Sequence, residues 1–171
     1  TRRSSDLAVR SAAAFPPNRV EIPVDLSTSS AHALRYGLEL LAQIGLAAGD
    51  TEVMFVLNPF EVGGSVHFTS EQIHRFASEE LHRFLEANTE ESLRPHLVLV
   101  RTGYAQKEIL AALDERKADL AILGTHGRSG FERLMIGSVA SAVLRGASCN
   151  LLIVPPTPSE RQDSATHREA G

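Results

Sequence analysis

Residues 120–156 read LAILGTHGRSGFERLMIGSVASAVLRGASCNLLIVPP, and their reading decides the fold. Leu120 to Leu123 is a short apolar run that stops at Gly124. A loop with Gly124, Gly127 and Gly130 follows, and the chain then reaches Gly137-Ser138, where a helix opens. Leu151 to Val154 is a second apolar run, closed by Pro155-Pro156. Continuous apolar runs, as opposed to alternating ones, belong to strands covered on both faces. Strand, loop, helix and strand therefore make one unit of a parallel sheet wrapped by helices.

The glycines are spaced Gly, two residues, Gly, nine residues, Gly-Ser. Gly124 and Gly127 let the backbone turn sharply and let a ligand approach main-chain N–H groups with no Cβ in the way. Gly137-Ser138 stands at a helix start, where the first N–H groups lack partners inside the helix. Those groups, with about half a positive charge from the helix dipole, suit an anion. The Ser138 hydroxyl can cap the helix or donate to a phosphate. Arg128 can add a full positive charge or point into solvent, and His126 can polarise a phosphate or be merely solvated. A tight connection whose glycines only relieve backbone strain would show the same residues, so local chemistry leaves both readings open.

GTHGRSGFERLMIGSVASAVL followed by CNLLIVPP resembles the signature of the universal stress protein family, in its ATP-binding branch. That branch carries Gly-x2-Gly-x9-Gly-Ser/Thr, and the likeness runs from about Val20 to Val154. It implies a single doubly wound, five-stranded parallel sheet of order 3-2-1-4-5, Rossmann-like, with helices on both faces. It implies ATP, with or without Mg2+, as the ligand. Asp25 then meets an adenine or ribose edge, with capping of the next helix as its alternative. Val56 lends backbone groups to adenine, and Leu123 packs on the base. Gly124, Gly127, Gly137, Ser138 and Val139 match the phosphate and ribose contacts, with His126 and Arg128 in the same loop. The last strand, Leu151–Val154, lies at the sheet edge in that order. The family pairs it across a two-fold axis, so the resemblance implies a homodimer; exposed edges invite pairing.

Upstream, the pattern repeats. Val20 to Val24 is a strand with Asp25 at its end, and Pro23 within it removes one donor. Ser27 to Ser30 offer caps for a helix whose Ala33, Leu34, Leu38 and Leu41 share one face. Thr51 to Leu57 is a strand stopped by Asn58-Pro59. Thr69-Ser70-Glu71-Gln72 is spaced as a capping box, and the helix after it carries Ile73, Phe76, Ala77, Leu81, Phe84 and Leu85. Leu97 to Val100 is a strand, Gly103 to Gln106 a turn and Lys107 to Lys117 a helix. The crevice between the first and fourth of these strands is where the winding direction reverses, and ligands sit past strand ends at such a point. Asp25 and the glycine loop converge there.

Residues 20–156 form the nucleotide-binding domain in this reading, with a flexible leader over 1–19 and a polar, disordered tail over 157–171. The chain of 171 residues carries a net charge of −4, so no global field draws nucleic acid. No apolar run reaches membrane-spanning length, and the leader, interrupted by Arg10, makes a poor signal peptide. The lone Cys149 forms no internal disulfide and reads as a small core residue. A cytoplasmic setting is the expectation. His74 and His82 lie two turns apart without the i, i+4 spacing of a metal helix, so no metal site is assigned.

No GxxxxGK[ST], DFG or HRD sequence is present. Phosphoryl transfer needs a metal clamp, a positioned nucleophile and charge stabilisation, so no catalytic residue is assigned. The function expected is an ATP-binding stress-response regulator or nucleotide-dependent switch. A slow ATPase or nucleotide-dependent transferase is the alternative.

Overall fold

The computed structural model describes residues 6–8, 16–46, 50–58, 69–125 and 136–156. Six strands form one sheet: β1 (Asp6–Ala8), β2 (Val20–Val24), β3 (Thr51–Leu57), β4 (Leu97–Thr102), β5 (Leu120–Gly124) and β6 (Asn150–Val154). Among the described residues four α-helices connect them: α1 (Thr28–Gln43), α2 (Ser70–Asn88), α3 (Ala105–Arg116) and α4 (Ser138–Gly146). The parallel strands stand in the order β4-β3-β2-β5-β6, which is the expected 3-2-1-4-5 arrangement.

The last parallel strand is not the sheet edge, which corrects the expectation. β1 comes from the stretch read as a leader, and it pairs antiparallel with β6: Asp6 with Ile153, Leu7 with Leu152 and Ala8 with Leu151. β6 is buried along its whole length, and such an apolar strand with one open side is a template for pairing. The chain's own leader supplies the strand.

Side chains alternate across the sheet and build a core on each face. Val20, Ile22, Val24, Val53, Phe55, Ile122 and Leu152 meet α1 and α2 through Leu34, Leu38, Leu81 and Leu85. Met54, Ala121, Leu123, Leu151 and Ile153 meet α3 and α4 through Ile109, Leu113 and Val143, with Cys149 buried among them. Each fully buried side chain of this size contributes about 2 kcal/mol. On this second face β2 offers Glu21 and Pro23 in place of apolar side chains, since Val20, Ile22 and Val24 go to the first.

Local signals fix the helix starts. Thr69 and Gln72 form the capping box, with Gln72 N–H donating to Thr69 Oγ1 at 3.2 Å and Thr69 N–H to Gln72 Oε1 at 2.9 Å. α3 begins at Ala105, two residues before the predicted start. Ala and Gln are good helix formers and extend the helix back to Tyr104.

Candidate functional site

The β2–β5 ladder pairs Val20 with Leu120 and Glu21 with Ala121, and goes no further. On its other side β2 stays paired with β3 as far as Val24. Pro23 has no N–H to give, and it sits where the β5 ladder has already ended. The tips of β2 and β5 therefore part. A cavity of roughly 390 Å³ opens between them, within the range of about 300–1,000 Å³ usual for small-molecule sites. Of the predicted residues, Asp25, Val56, Leu123, Gly124, Gly137, Ser138 and Val139 all line it. His126, Gly127 and Arg128 lie outside the described residues.

Asp25 holds the turn into α1. Its Oδ1 accepts from the Ser27 N–H at 3.1 Å and the Ser27 hydroxyl at 2.5 Å. Leu26 between them has φ 64°, a left-handed conformation that costs a non-glycine residue energy. The Asp25–Ser27 bonds compensate for that cost. Ser27 in turn accepts from the Ser30 N–H at 3.2 Å and caps the helix. The Ser30 hydroxyl accepts from the Asp25 N–H at 3.3 Å. Asp25 thus steadies the helix start, whose cap is Ser27, and it is one of the residues that line the cavity.

The start of α4 is held from below. Thr125 N–H donates to the Val154 carbonyl at 3.1 Å, and the Thr125 carbonyl accepts from Gly137 N–H at 2.7 Å. One hydrogen bond thus ties the residue after β5 to the residue before α4. Gly137 is the N-cap, and no side chain caps α4. Ser138 is the first helical residue, so its hydroxyl does not cap the helix as one sequence reading allowed. Among the described residues no side chain caps the first-turn N–H groups of α4, and Gly137, Ser138, Val139 and Ala140 line the cavity wall.

Gly124 has a structural task. A Cβ at this position would lie 3.1 Å from Ser29 Oγ and 3.2 Å from the Ser29 carbonyl oxygen. The glycine lets the end of β5 touch the first turn of α1, a role distinct from the ligand approach expected of it.

Several lining residues carry no signal in the glycine motif. Asn58 follows β3 directly, Tyr104 and Gln106 stand where α3 begins, and Thr125 follows β5. Tyr104 is 64 % exposed at the cavity mouth. The rule that ligands sit beyond parallel strand ends would have nominated all of these.

One ionisable cluster lies at the other end of the sheet. Glu21 is fully buried on β2, and Arg116 Nη1 reaches its Oε2 at 3.5 Å and Glu52 Oε1 at 3.4 Å. Burial, reinforced by the Glu52 charge and partly offset by Arg116, pushes the Glu21 carboxyl up to about 8. Its Oε1 has no hydrogen-bond partner.

The family model described as the universal stress protein family matches residues 17–155. The universal stress protein MJ0531 of Methanocaldococcus jannaschii is 29% identical over 150 residues, covering 83% of this chain and 84% of that protein. Among solved structures, the universal stress protein UspA from Lactobacillus plantarum superposes with a TM-score of 0.60 at 17% identity. That match covers 80% of this chain and 97% of the other. A universal stress protein solved in complex with cAMP superposes with a TM-score of 0.51 at 19% identity, covering 81% and 97%. No helix among the described residues is long and apolar enough to cross a membrane.

Proposed function

The chain belongs to the universal stress protein family, and from that premise we propose that it binds an adenine nucleotide, with ATP as the physiological ligand. The observation that carries the reading is the cavity between the parted tips of β2 and β5, with the start of α4, which has no side-chain cap among the described residues, in its wall. A triphosphate meets the α4 amides and the glycine loop around Gly127. The base lies between Val56 and Leu123, which give apolar wall on either side. Asp25 reads a ribose or base edge. The cAMP complex of a structural neighbour, itself an adenine nucleotide complex, agrees with that choice of base.

Asp25 is the one carboxylate among the described lining residues, and its Oδ1 already accepts two bonds from Ser27. Mg2+ would therefore be held chiefly by the phosphates themselves and by water. The role that follows is a cytoplasmic stress-response switch, whose loaded state a partner reads. A homodimer through Leu151–Val154 completes the family picture, and it requires β1 to leave that edge.

Isothermal titration of the chain with ATP, ADP, AMP and cAMP tests this directly. Saturable, stoichiometric binding of one of them is expected, and heat from none would reject the reading. Gly127→Val puts a branched side chain where the phosphates approach; it should abolish binding and leave circular dichroism unchanged. Phosphate released from Mg-ATP at many turnovers per second would replace the switch with an enzyme.

A further inference from the structure

Tyr104 is the most exposed of the large apolar side chains among the described residues, at 64 % against 56 % for Phe76. One exposed aromatic is ordinary on a protein surface, but this one stands at the mouth of the nucleotide cavity. Behind it, Val56, Ile109 and Leu123 line the same space. Building on the nucleotide reading above, we propose that the Tyr104 ring is the stacking platform for the nucleobase, and that it makes the site prefer purine to pyrimidine nucleotides.

The backbone of Tyr104 is held from both sides. Gly103 N–H donates to the Leu57 carbonyl at 2.9 Å and ties the end of β4 to the end of β3. Gly103 has φ 152°, which residues with a side chain rarely adopt. The Lys107 and Glu108 N–H groups donate to the Tyr104 carbonyl at 2.9 and 3.0 Å. Tyr104 is the N-cap residue of α3, yet its side chain makes no capping bond, so the ring is not what starts the helix. Its place beside β3 is the base end of the cavity, since Val56 and Asn58 come from the end of that strand. The start of α4, where the phosphates are proposed to lie, follows β5, which stands two strands from β3 and about 10 Å away at the usual spacing. Stacking on an aromatic ring needs only a π-face, which every base has, and the two-ring purine offers the larger one. Tyrosine supplies its own face with only two side-chain torsions to fix.

The chain has two tyrosines and no tryptophan, so Tyr36→Phe leaves Tyr104 as its only tyrosine emitter. Tyr36 lies on α1, packed against the core of the opposite face of the sheet. Emission of the Tyr36→Phe chain, corrected for nucleotide absorbance, should fall saturably with ATP and stay unchanged with inorganic tripolyphosphate. In calorimetric titration, Tyr104→Ala should weaken ATP binding by about tenfold and Tyr104→Phe by less than about twofold. Tyr104→Leu, apolar but without a π-face, should fall between them, and the wild-type chain should bind ATP more tightly than CTP. The unfolding midpoint of Tyr104→Ala should match wild type, because no capping bond is lost. A Tyr104→Ala chain with wild-type affinity for ATP would overturn the stacking role and leave nucleotide binding standing. So would a Tyr104→Phe chain as weak as Tyr104→Ala, equal affinity of the wild type for CTP and ATP, or ATP binding without loss of emission. A wild-type chain that binds no nucleotide would reject the stacking role together with the reading it builds on.

Discussion

The two ends of the parallel sheet are built from the same strands and reach opposite results. At the ends where β2 and β5 start, most polar groups bond within the protein itself, with Glu21 Oε1 the exception among the described residues. Asp119 Oδ2 accepts from the Asn18 and Arg19 N–H groups, each at 3.0 Å, and Asp119 N–H returns a bond to the Arg19 carbonyl at 2.8 Å. Arg116 spans Glu21 and Glu52 and donates to the Asp50 carbonyl at 3.1 Å. Where the same strands finish, the ladder stops, α4 begins without a side-chain cap, and a cavity remains. Polar groups closed at one end hold the fold, and those left open at the other are available to a ligand. Substitutions at the starting end should therefore change stability and spare binding, and substitutions at the finishing end should do the reverse.

The largest effect expected is at Glu21, through pH. Below pH 4.5 the carboxyl is protonated in both folded and unfolded chains. Between 4.5 and about 8 the unfolded chain releases the proton while the folded chain keeps it, so stability falls as pH rises. Above about 8 both states are ionised and the slope ends. Glu21→Gln keeps the shape and removes the titration. Its stability relative to wild type should improve on the order of 3 kcal/mol between about pH 5 and about pH 8, measured by urea unfolding. Parallel curves for the two chains would show that the proton is not held. Arg116→Ala comes next. It leaves the buried Glu21 facing the half-buried Glu52 with no cation between them, and breaking such a cluster is costly, but Glu21 can answer by keeping its proton. A loss of about 2 kcal/mol near pH 8, smaller near pH 5, is expected, with nucleotide affinity unchanged. A large change in affinity would break the division between the two ends.

That division was only partly legible in the chain. The finishing end announced itself, because a glycine motif, a helix start and an aspartate after a strand all carry local signals. Continuous apolar runs alternating with helices pointed to a parallel sheet covered on both faces, and the resemblance to the family supplied the strand order. The starting end did not announce itself. Glu21 in VEIPV looks like an outward residue of a short strand, and only the doubly covered sheet puts it in the interior. Arg116 lies 95 positions away in sequence, so no spacing rule could join them. β1 was missed for a related reason: DLA carries no strand signal of its own, and its pairing depends on an edge that exists only after β6 is laid down. Tyr104 was missed because the motif that drew attention lies one strand later. Resemblance to the family located the pocket floor. Tertiary topology supplied the mouth.

Gly124 tests where the boundary between the two functions falls. It lines the cavity, yet the nearest atoms to an added Cβ belong to Ser29 of α1 at 3.1 and 3.2 Å. Gly124→Ala should cost about 1 kcal/mol, because the serine side chain and backbone must give by a few tenths of an ångström. Ser29→Ala in the same chain removes one of the two obstacles and should recover part of the loss, a coupling that a double-mutant cycle measures. Additive losses would mean that Gly124 is there for the ligand after all.

The smallest effect on stability is expected at Ser138, and it separates fold from function most cleanly. A serine beside a helix start is ordinarily a cap, and replacing a cap with alanine costs about 1 kcal/mol. Here Gly137 takes that position, and Ser138 is exposed as the first helical residue with no capping bond. Alanine has the higher helix propensity, so Ser138→Ala should leave the melting midpoint nearly unchanged, within about 0.5 kcal/mol of wild type. Ser138 lines the cavity that the proposed phosphates occupy, and a hydrogen bond to a charged oxygen is worth about 1.5 kcal/mol or more. Titration with ATP should therefore weaken by about tenfold while thermal unfolding stays put. The opposite pair of results, a lower midpoint with unchanged affinity, would move Ser138 to the scaffold and leave the α4 amides alone to bind the anion.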